Sequence, residues 1–312
     1  MDGERLIRFA GDDALDVLRS RGFSDYALLT TPRFRSHPLA ADAGVVLDVP
    51  SGPVPDASAA VRGDVGRRPL VALGGGRVVD SAKAIGAADD LPVAAMTSTL
   101  SGAEMTGFHR LPAGVEGKRL VRPSVVIADP ELMTSAPMPL LAQSALNALA
   151  HAIEATYTPL ANPVGTMAAL RACSLIDSSL QQPDVDRESL ALGALLAAYA
   201  SGQSGYAIHH VVCQTTVRVA GTPHAGTNAT MLPHTVRFMQ NRAPDAMRQV
   251  NEAMGDPDRL AQRAEVSTLS ALGFDASRVD AVVEAVMSRP ELQNTPRPPG
   301  EAEVRAFVEG AL

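Results

Sequence analysis

Short apolar runs alternate with amphipathic stretches along the first half of the chain, and this alternation limits the fold more than any other feature. The apolar runs cover residues 25–31, 44–49, 69–73, 92–96 and 124–128. Amphipathic stretches such as residues 14–21 and 80–88 lie between them. Because strands that alternate with helices indicate a parallel sheet, we predict an α/β N-terminal domain with a doubly wound sheet.

The pattern changes after residue 130, where apolar residues recur at helical spacing and no convincing strand follows. Clear examples are residues 141–155, 166–180 and 190–200. A chain of 312 residues is also long enough for its core to divide in two. We therefore predict an α/β domain over residues 1–133 and an all-helical domain over residues 134–312, with an active site in the cleft between them.

Composition excludes several classes of partner. A net charge of −7 and an aromatic content of 4% do not suit a protein that binds nucleic acid through a basic, aromatic surface. No apolar run is long enough to span a membrane, and the first residues lack the pattern of a signal peptide. Two cysteines fit a reducing compartment. We expect a cytoplasmic protein whose partner is a small molecule.

A run of three glycines follows the third apolar run and leads directly into a helical stretch. Glycines let a diphosphate approach the backbone, and a helix N-terminus favours an anion, so residues 1–133 are predicted to bind a dinucleotide. The alternative is a tight turn without a ligand, and the run is not a GxGxxG fingerprint. A loop of hydroxyl side chains follows the next strand. The candidate cofactor-binding residues are Gly74, Gly75, Gly76, Asp80, Thr97, Ser98 and Ser101.

The helical half carries five of the seven histidines, which suits proton transfer near neutral pH. Asn147 and His151 are four residues apart and share a helix face. A metal site would prefer a carboxylate at the first position, since a neutral amide is a poor ligand for Fe²⁺ or Zn²⁺. For a lone helical histidine the alternative is a hydrogen-bonded core residue, and we favour that role for His209 and His234.

These segments together resemble the iron-containing alcohol dehydrogenase superfamily. The matching segments are residues 74–83, 97–104, 147–154, 209–214 and 223–234, in the family's order. Within the superfamily, residues 147–157 are most similar to the maleylacetate reductase branch. The resemblance implies the dehydroquinate synthase-like fold of the iron-type alcohol dehydrogenases, with an α/β domain followed by an all-α domain.

The resemblance also implies a reaction. The ligands of metal-dependent relatives are one aspartate and three histidines, and these positions fall on Asn147, His151, His210 and His224. Loss of the aspartate agrees with the maleylacetate reductase branch, which works without a metal. By this resemblance the protein is a homodimer that uses NADH or NADPH to reduce maleylacetate, or a related unsaturated or oxo acid, to 3-oxoadipate or its equivalent. The same four residues are the candidate catalytic residues.

Three departures from the branch keep other functions open. Gln214 stands where the branch has a histidine, Gly226 stands where it has a glutamate, and Arg77 stands where the family has a serine. A diverged member could reduce another ketone, or catalyse a non-redox proton transfer or elimination in the same site. A scaffold that keeps only the fold and a metal-dependent alcohol dehydrogenase are the remaining alternatives.

Overall fold

The computed structural model describes residues 4–117 and 119–312. The chain divides into two compact units, the first ending at Ser135 and the second comprising Ala136–Leu312. The sequence pattern placed this boundary near residue 134. The first unit combines a sheet with helices, whereas the second contains helices alone.

The first unit contains a six-stranded sheet in which every neighbouring pair is parallel, in the order β1-β6-β5-β4-β2-β3. The strands are β1 (Leu6–Arg8), β2 (Ala27–Thr30), β3 (Val45–Asp48), β4 (Leu70–Gly74), β5 (Val93–Thr97) and β6 (Val125–Ile127). The helices are α1 (Ala14–Ser20), α2 (Pro38–Asp42), α3 (Val54–Val65), α4 (Gly76–Asp89) and α5 (Pro130–Met133), with a 3-10 helix at Pro32–Phe34.

Both faces of the sheet are covered, which confirms the doubly wound prediction. Leu70 and Ala72 of β4 belong to the core that also holds residues of α3 and α4. Val71 and Leu73 belong to the core on the other face, with residues of α1 and α2. Because successive side chains of a strand point to opposite faces, a strand covered on both sides is apolar throughout. This explains the uninterrupted apolar runs in the sequence.

The sequence pattern predicts five of the six strands and does not indicate β1. Strand β1 has only three residues, and it pairs with β6 at the edge of the sheet through Leu6 and Val125. Ile7 in its centre is 41% exposed. A short, partly exposed edge strand carries too few apolar residues to show a pattern.

The second unit is helical, and no strand occurs in residues 136–312, as predicted. Its α-helices are α6 (Met138–Ala155), α7 (Pro163–Gln181), α8 (Arg187–Ser204), α9 (Ile208–Ala220), α10 (His224–Met239), α11 (Pro244–Ala253), α12 (Pro257–Gln262), α13 (Val279–Met287) and α14 (Glu301–Glu309). Three 3-10 helices lie at Ser270–Leu272, Ala276–Arg278 and Pro290–Asn294.

Helix α6 is central to this unit because α7, α8, α9, α10 and α12 all contact it. Side-chain caps fix where its neighbours begin: Asn162 accepts a hydrogen bond from the N–H of Gly165 in α7, and Asp186 accepts one from Ser189 in α8. Within the described residues, no helix combines the length and apolar character that crossing a bilayer would require.

Candidate active site

The triple glycine forms the bend between β4 and α4. Gly74 ends the strand, Gly75 is the N-cap residue, and Gly76 begins the helix. The next strand, β5, lies beside β4 with Thr97 in register with Gly74. The strand order reverses between β2 and β4, so the bend stands at the carboxyl edge next to the switch point of the sheet, where ligands bind in folds of this kind.

Close packing is one reason for the glycines. A Cβ atom added to Gly74 would lie 2.8 Å from Cγ2 of Val78, and one added to Gly75 would lie 3.1 Å from Cγ2 of Thr99. A Cβ atom on Gly76 would lie 3.0 Å from the hydroxyl of Ser101. The bend therefore approaches its own helix and the loop after β5 too closely for larger residues.

Two hydroxyl groups beside the bend lack internal partners. The Oγ1 atom of Thr99 and the Oγ atom of Ser101 are buried and form no hydrogen bond among the described residues. Buried polar atoms are almost always satisfied in native proteins, by protein, water or ligand. Together with the uncapped N-terminus of α4, these hydroxyls fit a phosphate group. Thr99 was not singled out from the sequence, although it lies in the same hydroxyl-rich loop.

Other residues selected from the sequence shape this loop. The carboxylate of Asp80 lies 2.7 Å from the ammonium of Lys83. Lys83 is fully buried and donates hydrogen bonds to the carbonyls of Ala103, Thr106 and Phe108. The Thr97 hydroxyl donates to the Thr99 carbonyl at 3.1 Å. Asp80 and Thr97 thus hold the loop in place through internal bonds.

The backbone N–H of Ser98 donates to the carbonyl of Gly74 at 3.0 Å, which ties the hydroxyl loop to the bend. Arg77, in the first turn of α4, is exposed and makes no hydrogen bond or ion pair within residues 4–117 and 119–312. Its guanidinium is therefore available to a charged group outside the chain.

The second unit gathers the imidazoles that the sequence singled out. Helix α6 carries Asn147 and His151, α9 carries His210, and α10 begins at His224. The rings of His151 and His210 stack with centroids 3.7 Å apart and planes 14° from parallel. His224 is exposed. Burial lowers the pKa of His151 and of His210, so the neutral imidazole is the resting form of both rings at neutral pH.

Glu154 ends the matching segment 147–154, and the sequence alone indicates no role for it. Its Oε2 atom lies 2.5 Å from Nδ1 of His210, and both side chains are buried. Its Oε1 atom accepts hydrogen bonds from the backbone N–H groups of His209 and His210, at 2.7 and 3.4 Å. The carboxyl group therefore sits on the N-terminus of α9, which favours a negative charge.

Burial acts against that charge and raises the pKa of Glu154 to about 7. Glu154 Oε2 and His210 Nδ1 share a single proton across their 2.5 Å contact. When Glu154 is ionised, Nδ1 of His210 donates and its Nε2 atom has a free lone pair. When Glu154 is protonated, it donates to Nδ1 and the imidazole proton resides on Nε2. Glu154 thus determines which nitrogen of His210 carries the proton.

His209 is fixed by a separate set of bonds. The side-chain amide of Asn228 donates to the carbonyl of His224 at 2.7 Å, which orients its oxygen toward Nε2 of His209 at 3.0 Å. That nitrogen must therefore carry the proton, and Nδ1 of His209 accepts from the Thr235 hydroxyl at 2.7 Å. Both nitrogens are occupied, in agreement with the structural role predicted for His209.

Two buried polar atoms of the site have no hydrogen-bond partner among the described residues: Oδ1 of Asn147 and Nε2 of His210. Leaving such atoms unpaired costs about 1–3 kcal/mol each. Nδ1 of His151, in contrast, is bonded to the Ser201 hydroxyl at 3.2 Å. The two unpaired atoms indicate where a ligand would complete the site.

The site does not fit a divalent metal ion. Asn147 offers a neutral amide oxygen, which is a weaker ligand for Fe²⁺ or Zn²⁺ than a carboxylate. Stacked rings, as in His151 and His210, do not aim their nitrogens at a common point. Among the described residues, no group of three histidine, cysteine or acidic side chains is arranged to hold an ion.

Contacts in the same unit account for two of the departures noted in the sequence. A Cβ atom on Gly226 would lie 3.0 Å from Cδ2 of Leu272, so a glutamate does not fit there without movement. Gln214 is one turn after His210 on α9, and its amide oxygen accepts a hydrogen bond from Arg289 at 3.3 Å.

Comparison with known proteins identifies the family. Residues 141–312 match the model of the Fe-containing alcohol dehydrogenase family, C-terminal. A maleylacetate reductase of Rhodococcus opacus is 32% identical over 261 residues, covering 78% of this chain and 72% of that protein. The chain belongs to the Fe-containing alcohol dehydrogenase family. It is an oxidoreductase of this family and is most similar to the maleylacetate reductase branch.

Solved structures show the same fold. The crystal structure of maleylacetate reductase from Rhizobium sp. has a TM-score of 0.86 at 28% identity, covering 100% of this chain and 97% of that chain. The iron-containing alcohol dehydrogenase of Corynebacterium glutamicum has a TM-score of 0.85 at 27% identity, covering 99% and 95%. The fold class predicted from the sequence is confirmed.

Proposed function

We propose that this oxidoreductase uses NADH or NADPH to reduce maleylacetate, or a closely related unsaturated or oxo acid, without a metal ion. One observation carries the proposal. The imidazole of His210 is bonded through Nδ1 to the buried carboxyl of Glu154, while its Nε2 atom has no partner. This is the arrangement of a general acid–base pair, and it occurs where Asn147 has replaced the acidic ligand of metal-dependent relatives.

The surroundings of the glycine bend support the binding of a nicotinamide dinucleotide. The start of α4 at Gly75 and Gly76 has no side-chain cap, and the unpaired hydroxyls of Thr99 and Ser101 beside it can donate to a diphosphate. Exposed Arg77 offers a cation to the 2′-phosphate of NADPH. When bound, reduced nicotinamide supplies the hydride for the electron-poor carbon of the substrate.

The substrate also needs a proton, and His210 with Glu154 can deliver one without forming an imidazolium ion. In the state with Glu154 protonated, Nε2 of His210 carries a hydrogen. As that hydrogen moves to the substrate, Nδ1 takes the proton of Glu154 across the 2.5 Å contact. The imidazole remains neutral throughout, which suits a buried ring whose pKa is lowered to about 3.

Negative charge that develops on the substrate oxygen needs donors in place of a metal. Asn147 can donate through its amide nitrogen, and His151 and His224 each present an imidazole in the same unit. We assign stabilisation of this charge to these three residues and proton delivery to His210.

The test is the oxidation of NADH and NADPH by purified protein in the presence of maleylacetate, followed by absorbance. Reduction of maleylacetate to 3-oxoadipate with one nicotinamide oxidised per product is the expected result. Absence of turnover with both cofactors and with a panel of oxo acids would contradict the proposal. His210→Ala is the companion variant, and we expect it to lower kcat by roughly 10²–10⁴-fold.

A second candidate function is the reduction of another ketone by a diverged member of the family, and Gln214 and Gly226 favour it. Both positions differ from the branch, and Leu272 occupies the space that a larger residue at 226 would need. Higher kcat/KM for a different oxo acid than for maleylacetate would select this alternative. Turnover of such an acid without nicotinamide would indicate non-redox chemistry in the same site.

We also propose a cytoplasmic homodimer. The free, buried Cys173 and Cys213 suit a reducing compartment. Leu160, Val164 and Met167 are 67%, 62% and 73% exposed around the start of α7, and such apolar clusters often form interfaces. Sedimentation should show a dimer that Met167→Glu weakens, while the control Met287→Glu leaves it intact. A monomeric wild type would exclude the dimer.

A further inference from the structure

Three polar residues occur at intervals of four positions just before and within helix α9. Tyr206 precedes the helix, and His210 and Gln214 follow at intervals of four, so the last two share a face. The ring of Tyr206 meets that of His210 edge-on, with centroids 6.1 Å apart. Tyr206, His210 and Gln214 therefore form a row with the acid–base imidazole in the middle.

Arg289, just after α13, spans this row. Its Nη2 atom donates to the hydroxyl of Tyr206 at 3.1 Å and to the amide oxygen of Gln214 at 3.3 Å. One guanidinium thus bonds the residues on both sides of His210. Only 17% of its side chain is exposed. Its position is fixed by these bonds and by the Nε–H bond to Glu291 at 2.9 Å.

The loop that carries Arg289 is also anchored. Asn294 donates from its side chain to the carbonyl of Tyr206 at 2.9 Å, which ties the 3-10 helix Pro290–Asn294 to the start of α9. The Nη1 atom of Arg289 has no hydrogen bond within the described residues. A fixed guanidinium therefore keeps one end of its fork free beside His210.

We propose that Arg289 binds a carboxylate of the substrate and so determines specificity for acidic substrates over neutral ones. A guanidinium is always charged, and its planar fork matches a carboxylate. Gln214 and Tyr206 are the positioning residues that hold the fork. This inference rests on the proposed function, since it assigns the substrate class to the same site.

The proposal gives a physical reason for Gln214. An amide oxygen accepts from a guanidinium at any pH, whereas a histidine at this position would lose its acceptor on protonation. Arg119, in contrast, is in the first unit and forms an ion pair with Asp90. Glu291 is the internal competitor for Arg289, and 34% of its side chain is exposed.

The experiment compares maleylacetate with its neutral diester in NAD(P)H oxidation by the full-length protein. For Arg289→Met we expect kcat/KM to fall roughly 10- to 100-fold with the diacid, mainly through KM, and much less with the diester. Glu291→Gln should lower KM for the diacid because it removes the competing carboxylate. Arg278→Met, which removes an exposed arginine at the opposite end of α13, is the charge-matched control.

Calorimetric titration with adipate, an unreactive six-carbon diacid, separates this inference from the proposed function. If wild type binds adipate and Arg289→Met does not, the carboxylate site stands even when no reduction is observed. Equal loss of diacid and diester turnover in Arg289→Met, or unchanged adipate affinity, would overturn the inference. Arg289→Lys is the second variant, for use if Arg289→Met folds poorly. It keeps the positive charge without the planar fork, so we expect its turnover of the diacid to lie between that of wild type and that of Arg289→Met.

Discussion

The Oε2 atom of Glu154 lies 2.5 Å from Nδ1 of His210, while the Nε2 atom of the same ring is buried without a partner. The two ring nitrogens of His210 therefore have different roles in proton transfer. Nδ1 exchanges a proton with the carboxyl group, and Nε2 is left for the substrate. The histidine is thereby held in one orientation by a residue that need not contact the substrate itself.

Replacing Glu154 by Gln tests this relationship. The amide cannot supply a proton, so we expect kcat to fall roughly 10²-fold, with little change in dinucleotide affinity. Because the two residues act as a unit, His210→Ala added to the glutamine variant should cost little more than His210→Ala alone. Fully additive losses, or near-normal kcat for Glu154→Gln, would show that the carboxyl group only supports packing.

Much of the fold was predictable because it follows from local patterns. Doubly covered strands are apolar along their whole length, as Leu70–Gly74 shows, and helical spacing identified the second unit. The edge strand Leu6–Arg8 was not predictable, since three partly exposed residues carry no pattern. The role of Glu154 also could not be deduced, because it depends on where α9 begins relative to α6.

In the site, too, some residues could be predicted from the sequence and others only from the tertiary fold. The sequence indicated His210 by motif, but Arg289 lies 79 positions later, and only the tertiary fold brings its guanidinium beside the row on α9. The sequence predicts a phosphate site at the glycine run, with a tight turn as the alternative. The structure shows that packing against Thr99 and Ser101 is itself a sufficient reason for two of the three glycines.

This packing leads to a prediction for Gly75. A Cβ atom there meets Thr99 at 3.1 Å, so Gly75→Ala should displace the hydroxyl loop by a few tenths of an ångström and weaken dinucleotide binding. We expect at least a 10-fold rise in Kd for NADH, or about 1.4 kcal/mol. Fluorescence titration gives the affinity. Gly63→Ala, in α3 with open space around its Cβ position, is the control and should bind as wild type does.

Metal removal is expected to have no effect on turnover. Asn147 supplies no charge, and His151 and His210 are stacked rather than convergent. Dialysis against a chelator should leave kcat unchanged, and elemental analysis of the purified protein should find substoichiometric iron and zinc. Loss of activity that added Fe²⁺ or Zn²⁺ restores would disprove the metal-free assignment. Asn147→Asp restores an anionic ligand, so this variant should gain affinity for a divalent ion relative to wild type.

Glu104 provides a prediction for the pH dependence of stability. Its carboxyl group is 1% exposed, and burial raises its pKa from 4.5 to about 7. Because the folded-state pKa is raised for an acid, folding favours the protonated form. The cost of burying the charge is absent below pH 4.5, grows between pH 4.5 and about 7, and is constant above that range.

Glu104→Gln should remove this dependence. Wild type is therefore expected to lose stability relative to the variant across that window, by at most roughly 3–4 kcal/mol, since one pKa unit corresponds to about 1.4 kcal/mol. Denaturant unfolding of both proteins at pH 5 and pH 8 measures the difference. Groups elsewhere titrate equally in the two proteins and cancel. A constant difference between the two proteins at both pH values would mean that Arg5 and Lys83, which favour the ionised carboxylate, keep its pKa near the ordinary value.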